Sequence, residues 1–299
     1  MKSERAGGTW LMLAVLALIW GSSFILMKRG LYHEGIPVLT PWQMATARLS
    51  IAWLALSPLL LRHASLLRKH WRPMLGSGLL GNGLPALLFA TAQTRIDSAL
   101  SGMLNSLTPL MTLLTGLLFF ATPARLVHFM GIGLGLLGAA GLVFFAETDG
   151  LGGWSWFALL PVLGTLGYGL SGNIVKRHLH SVPPMATAVG ALTWVGPLSI
   201  LLAMLSGLPE KLRTDPYAWR ALGHVAVLAV MSSAVALVLW NTLLQRTTAV
   251  GASMVTYLMP VVAIGWGVLD HEALSLLQVG MIVLVLGGVW LVSAAERTR

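Results

Sequence analysis

Ten runs of about 20 mostly apolar residues, parted by short polar gaps, decide what this chain can fold into. A helix needs about 20 such residues to cross the hydrocarbon of a bilayer. The runs fall at approximately 9–28, 39–61, 73–93, 98–120, 126–146, 153–175, 184–206, 219–243, 248–269 and 273–294. Only 10% of the residues are charged and 56% are hydrophobic, against roughly 25% charged in soluble domains. A soluble domain of this size cannot hide that much apolar area, because its surface-to-volume ratio is too high. Lipid is the solvent. Pro41, Pro85, Pro109, Pro161, Pro197 and Pro260 fall inside the runs, which a membrane tolerates better than water does. The expected fold is an all-α membrane protein of ten transmembrane helices.

The net charge of +9 does not mark a nucleic-acid binder, since the basic residues sit in the gaps between apolar runs and form no basic face. Their placement sets orientation instead. With the N-terminus inside, twelve Lys and Arg fall on the cytoplasmic side, among them Arg62, Arg68, Lys69 and Arg72, and six on the other. Eight of the ten acids lie outside, including Glu147 and Asp149. Both termini are therefore expected in the cytoplasm. The basic start and first apolar run mimic a signal peptide, but no Ala-x-Ala site follows, so the run reads as a retained helix. There is no cysteine, which removes disulfides, thiolate metal sites and cysteine nucleophiles. No paired acids, metal cluster or phosphate loop is apparent, so no cofactor and no metal are expected.

The two halves of the chain repeat one another. Trp20-Gly21-Ser22-Ser23 leading to Lys28-Arg29-Gly30-Leu31 is answered by Tyr168-Gly169-Leu170-Ser171 leading to Lys176-Arg177-His178-Leu179, at identical spacing. Met44-Ala45-Thr46-Ala47 and Trp53 are answered by Met185-Ala186-Thr187-Ala188 and Trp194. Thr91, Arg95, Met103, Leu107, Pro109 and Gly116 match Thr242, Arg246, Met254, Leu258, Pro260 and Gly267; Gly131 and Gly138 match Gly280 and Gly287. The agreement in order implies a duplication, with repeats at 1–149 and 150–299. Five spans per copy, an odd number, make the second copy enter the membrane from the opposite side. Such inverted repeats occur in many secondary transporters, with substrate handled at their interface near the midplane.

These residues resemble the drug/metabolite transporter superfamily, in its EamA-like ten-helix branch. The carriers are Trp20-Gly21-Ser22-Ser23-Phe24, Arg48, Pro109, Pro260 and Glu272. The resemblance implies two five-helix halves around a central cavity in the bacterial inner membrane, carrying small metabolites such as amino acids, usually outward. One departure is that Ala121-Thr122 stands where the second repeat has Glu272.

Arg48 is the one formally charged residue well inside a run, roughly 12 Å below the start of its helix and too deep to snorkel. Its burial costs about 2.5–3.5 kcal/mol on insertion scales, so either it serves a substrate anion or it binds helix-end carbonyls. Trp20 and Tyr168 are repeat-related aromatics beside glycines, suited to a cavity wall or to plain packing. Asn105 and Tyr257, next to the matched prolines, read as substrate-facing. Asn82, Asn173 and Asn241 read as interhelical hydrogen-bonding groups. Substrate-binding candidates are thus Trp20, Arg48, Asn105, Tyr168 and Tyr257. Pro109, Pro260 and Glu272 are gating candidates, and Asp270-His271-Glu272 reads as a solvated turn. His128 and His224 read as bystanders near span ends. The Gly131, Gly135 and Gly138 stripe suits packing within a monomer or the seam of a homodimer. Besides the bilayer, the expected partner is a small-molecule substrate. Rival readings are an intramembrane rhomboid-like hydrolase built on Ser23, which needs a nearby His, and a cationic drug/proton antiporter, which lacks a deep carboxylate.

Overall fold

The computed structural model describes residues 2–123, 125–144, 156–272 and 275–297, and these are helical almost throughout. Eight helical segments are long and apolar enough to cross a membrane: α1 (Leu11–Leu31), α2 (Pro41–Lys69), α3 (Trp71–Ala92), α4 (Ser98–Phe119), α5 (Leu126–Phe144), α6 (Trp156–His178), α7 (Pro184–Leu205) and α8 (Ala218–Arg246). Two shorter apolar helices follow, α9 (Val255–Leu269) and α10 (Leu276–Val292). Between α1 and α2 a small antiparallel hairpin pairs β1 (Tyr32–His33) with β2 (Ile36–Pro37). Its turn residues Glu34 and Gly35 both take positive φ, 49° and 81°, the twist that suits a two-residue hairpin. Glu147 and Asp149 lie outside the described residues.

Helix boundaries depart from the apolar runs where packing continues beyond them. The second run ends at 61, yet α2 reaches Lys69. Leu67 is buried and Leu60 and Leu66 pack on the core, while Arg62, Arg68 and Lys69 stay exposed. One apolar stripe is enough to hold that extension. Pro41 opens α2 rather than interrupting it. It follows a capping box in which Thr40 Oγ1 accepts from Gln43 N–H at 3.1 Å and Gln43 Oε1 accepts from Thr40 N–H at 3.0 Å.

A proline within a helix has no N–H to donate and clashes with the carbonyl four residues back. Among the prolines flagged in the sequence, only Pro197 sits inside an α-helix beyond its first turn; Pro161 lies in the opening turn of Leu159–His178. Pro85 follows a π-helical segment, Leu79–Gly83, and Pro109 restarts α4 after a tightened turn in which Ser106 N–H donates to Met103 at 3.1 Å. Related positions in the second half behave alike. Ala229–Val235 of α8 is π-helical, and Leu258 N–H donates to Val255 at 3.2 Å just before Pro260.

Besides a smaller cluster of α2, α7 and α8 around Leu49, Leu192 and Leu237, two large clusters of apolar side chains build the core. One joins α1, α2, α3 and α8 through Phe24, Met27, Met44, Met74, Phe89 and Leu228. The other joins α4, α5 and α10 through Leu104, Leu113, Leu142, Val285 and Val289. The glycine stripe on α5 is spent inside the chain. A Cβ at Gly131 would stand 2.6 Å from the Gly288 carbonyl oxygen of α10, one at Gly138 would stand 2.8 Å from that of Met281, and Gly135 faces Leu110.

Candidate functional site

A cavity of about 90 Å³ lies among α1, α2, α3, α4, α6, α8 and α9. It receives Trp20 and Phe24 from α1, Arg48 from α2, Asn105 from α4, and Tyr168 from α6. Tyr257 departs from expectation: its ring packs against the α4–α5–α10 cluster, and its neighbour Thr256 faces the cavity. One residue turns a helix by about 100°, and here that turn carries Tyr257 away from the cavity that Thr256 faces. Asn82 and Asn241, expected to bond between helices, line the cavity instead. Asn173 does join helices, donating to the Thr112 carbonyl at 2.8 Å and to Thr115 Oγ1 at 3.0 Å.

Close helix approach sets the aromatic walls. Gly21 and Gly169, beside Trp20 and Tyr168, each admit a neighbouring helix: a Cβ would fall 2.5 Å from Val262 Cβ in the first case and 2.7 Å from the Met111 carbonyl in the second. Trp20 then meets Trp240 edge-on at 5.4 Å between ring centroids, and its Nε1–H donates to the Ser232 carbonyl at 3.1 Å. Phe89 stacks on Tyr168 at 6.0 Å and meets Phe24 at 5.9 Å. The weaker aromatic candidates fall outside: Trp53 packs on Gly196, and Trp194 lies 6.1 Å from Trp71.

Serines meet in pairs at the cavity wall. Ser23 and Ser232 hydroxyls are 2.6 Å apart, and Ser77 and Ser171 are 3.0 Å apart. A π-turn changes the face that each residue presents, so consecutive Ser232 and Ser233 both meet partners from the first half. Ser233 Oγ accepts from Arg48 Nε at 2.8 Å. That is the single hydrogen bond of Arg48 among the described residues, and its two Nη groups have none. Tyr168 is the ionisable side chain that interacts with it electrostatically. Among the described residues, no carboxylate lines the cavity. The guanidinium thus presents an open fork to the cavity, where a ligand anion completes it with charge-assisted bonds.

Two amides are also incomplete. Asn241 is 2% exposed, and neither Nδ2 nor Oδ1 has a partner; Asn82 Nδ2 has none either. Each buried, unsatisfied group costs about 1–3 kcal/mol. The sequence carried one signal for these positions, namely polar pairs and triplets inside apolar runs (Gly81-Asn82-Gly83 and Ser232-Ser233).

Glu272 overturns the reading of Asp270-His271-Glu272 as a solvated turn. Its side chain is 1% exposed. One carboxylate oxygen accepts from Ser98 N–H at 3.1 Å, Ser98 Oγ at 2.6 Å and Lys28 Nζ at 2.8 Å, and the other from Ala99 N–H at 2.9 Å. The carboxylate therefore caps α4 from across the bundle, where unpaired N–H groups and the helix dipole favour an anion. Asp270 pairs with Lys28 at 2.7 Å and with Arg29. Pro109 and Pro260 lie next to cavity-lining residues, and neither lines the cavity itself. His128 is no interfacial bystander either: it is fully buried, and its Nδ1 accepts from Arg125 N–H at 2.8 Å.

Helices long and apolar enough to cross a membrane, gathered around a polar and aromatic cavity, are the architecture of a membrane transport protein. The EamA-like transporter family matches residues 8–144 and again 155–294, and the chain belongs to that family. Among curated proteins it is similar to the "Uncharacterized inner membrane transporter YedA" of Escherichia coli (strain K12), 29% identical over 274 residues, covering 89% of this chain and 84% of the relative. The same protein from Escherichia coli O157:H7 matches equally. A solved crystal structure superposes with a TM-score of 0.65 over 98% of each chain at 18% identity, which shows likeness of fold.

Proposed function

We propose that this protein is a secondary transporter of the bacterial inner membrane that moves small metabolites such as amino acids outward, by alternating access around the central cavity. Its two repeats, 1–149 and 150–299, are inverted five-helix units giving ten spans, and both termini lie in the cytoplasm. Arg48 receives the substrate carboxylate, Trp20 and Tyr168 hold its body, and Asn105 contributes a polar contact. Glu272 and the proline-restarted turns at Pro109 and Pro260 serve opening and closing.

The observation that carries this reading is the open guanidinium fork of Arg48 in a cavity without acids. A planar fork makes two parallel charge-assisted bonds to a carboxylate, which an ammonium group cannot reproduce. The same lining disfavours a cationic-drug antiporter, which needs an acid at the site. The hydrolase reading lacks its base: Ser23 Oγ bonds to Ser232 Oγ and to the Ile19 carbonyl at 2.9 Å, and no His lines the cavity.

The test is flux in proteoliposomes over amino acids, their esters, nucleosides and cationic drugs, with and without a pH gradient. Arg48→Lys should keep the fold and lower carboxylate transport about tenfold, the loss of one charge-assisted bond, while esters are handled alike by both proteins. Normal carboxylate flux in Arg48→Lys would make Arg48 structural. For topology, single cysteines at 69 and 148 of this cysteine-free chain should label from opposite faces of the membrane. Labelling of both from one face would refute the inverted repeat.

A further inference from the structure

Orphaned amides in an otherwise satisfied lining say more about the ligand than the cation does. Most polar groups around the cavity are already engaged. Trp20 Nε1, Ser23, Ser77, Ser171 and Ser232 bond to one another or to carbonyls, and Thr256 Oγ1 donates to the Ser253 carbonyl at 2.8 Å. Asn241 is the exception on both of its atoms. It sits beside Trp240, whose ring forms the aromatic wall with Trp20. Asn82, whose Nδ2 is also unpartnered, lines the same cavity from α3.

We infer that Asn241 is a specificity-determining residue, reading a neutral carboxamide- or lactam-type edge on a substrate whose carboxylate is held by Arg48. The inference rests on the reading of the cavity as a carboxylate site. A side-chain amide offers a donor and an acceptor side by side, and only a group with the same pair can engage both at once. Buried polar groups reject a ligand that leaves them unpaired more strongly than apolar pockets reject a missing methylene. A second cation on the ligand finds no carboxylate here. Among small metabolites, the class this favours over zwitterionic amino acids is a net monoanion: a carboxylate, a flat or apolar body, and an uncharged donor–acceptor edge.

Calorimetric binding to the purified protein in detergent tests this without requiring transport. The probes are meta- and para-carbamoylbenzoate, the matching isopropylbenzoates, and the matching carbamoylbenzylamines. At least one carbamoylbenzoate should bind about tenfold tighter than its isopropyl isostere, the worth of one buried hydrogen-bonded pair, and the amines should not bind measurably. Asn241→Leu should bring the two carboxylate types within about twofold of each other without lowering the unfolding midpoint, because an orphaned amide has been removed. Asn241→Ser replaces it should the leucine variant fail to fold. Equal binding of carbamoyl and isopropyl probes by the wild type would overturn the inference. So would a variant that weakens both alike and unfolds earlier, which is the mark of a structural amide. If no carboxylate binds while liposomes still carry other solutes, this inference and the Arg48 site fail and transport stands. If the binding pattern holds but liposomes show no flux, transport fails and the recognition stands.

Discussion

Lys28-Arg29 and Lys176-Arg177 occupy related places in the two halves and stand at opposite ends of α4, yet they close those ends in different ways. At the Ser98 end, Lys28 and Arg29 meet two acids, Asp270 and Glu272, and Glu272 also caps α4. At the Phe119 end, the equivalent cations find only backbone. Lys176 Nζ donates to the carbonyls of Leu244, at 2.9 Å, and Thr247, and Arg177 reaches the Phe120 carbonyl at 3.4 Å. The turns after α4 and α9 are built alike: Ala121 and His271 take positive φ, 52° and 59°, and Gly116 and Gly267 make room for the Thr122 and Glu272 side chains. Only the side chain that folds back differs. Duplication supplied two similar ends, and one acid in place of a threonine made one of them ionic. Under the proposed alternating access, the ionic end would be the preferred resting closure.

The largest effect should come from Glu272→Ala. It strips a buried carboxylate from Lys28 and uncaps two N–H groups, and should cost about 3 kcal/mol, at the low end for breaking a buried pair because Asp270 still faces Lys28. Unfolding of the purified protein by denaturant measures it. A loss no greater than that of Lys176→Met would erase the contrast between the ends. Next, Lys28→Met should cost about 2 kcal/mol, and Lys176→Met, which gives up only carbonyl bonds at a partly exposed position, about 1 kcal/mol.

Thr122→Glu tests the contrast by removing it. A carboxylate there, near Lys176 and Arg177, should stabilise the second closure by about 1 kcal/mol, an equilibrium shift of roughly fivefold. Reactivity of a single cysteine placed in the cavity, assayed from each face of the membrane, reports that shift. Unchanged reactivity would mean that the acid at Glu272 serves capping alone. The smallest effect belongs to Arg29→Gln. Its guanidinium is 47% exposed, so its ion pair should contribute no more than about 0.5 kcal/mol and vanish in molar salt. A clear loss in high salt would place Arg29 deeper in the closure than its exposure suggests.

Hydropathy and the repeat located α1 to α10 and the chemistry of α1, α2 and α6, because span length and residue type are local properties; the short polar helix Leu208–Thr214 carried no such signal. Trp20, Arg48 and Tyr168 stood out as an aromatic pair and a lone deep cation, and they share the cavity. Burial of Glu272 was not legible. Its chain neighbours Asp270 and His271 read as polar turn, and the groups that bury it, Ser98 and Lys28, lie about 170 and 240 positions away.

What the sequence determined by itself was the solvent, the helices and the duplication, all of which follow from the cost of placing charge and bare backbone in hydrocarbon. Which polar residues face one another was decided only by tertiary structure. Helix rotation depends on close contacts such as Gly21 against α9 and Gly169 against α4, and on π-turns that shift the phase of α3 and α8. A phase shift of one residue rotates a face by about 100°. That is enough to put Thr256 inside and Tyr257 outside, and to turn Asn82 and Asn241 from presumed struts into open groups of the site.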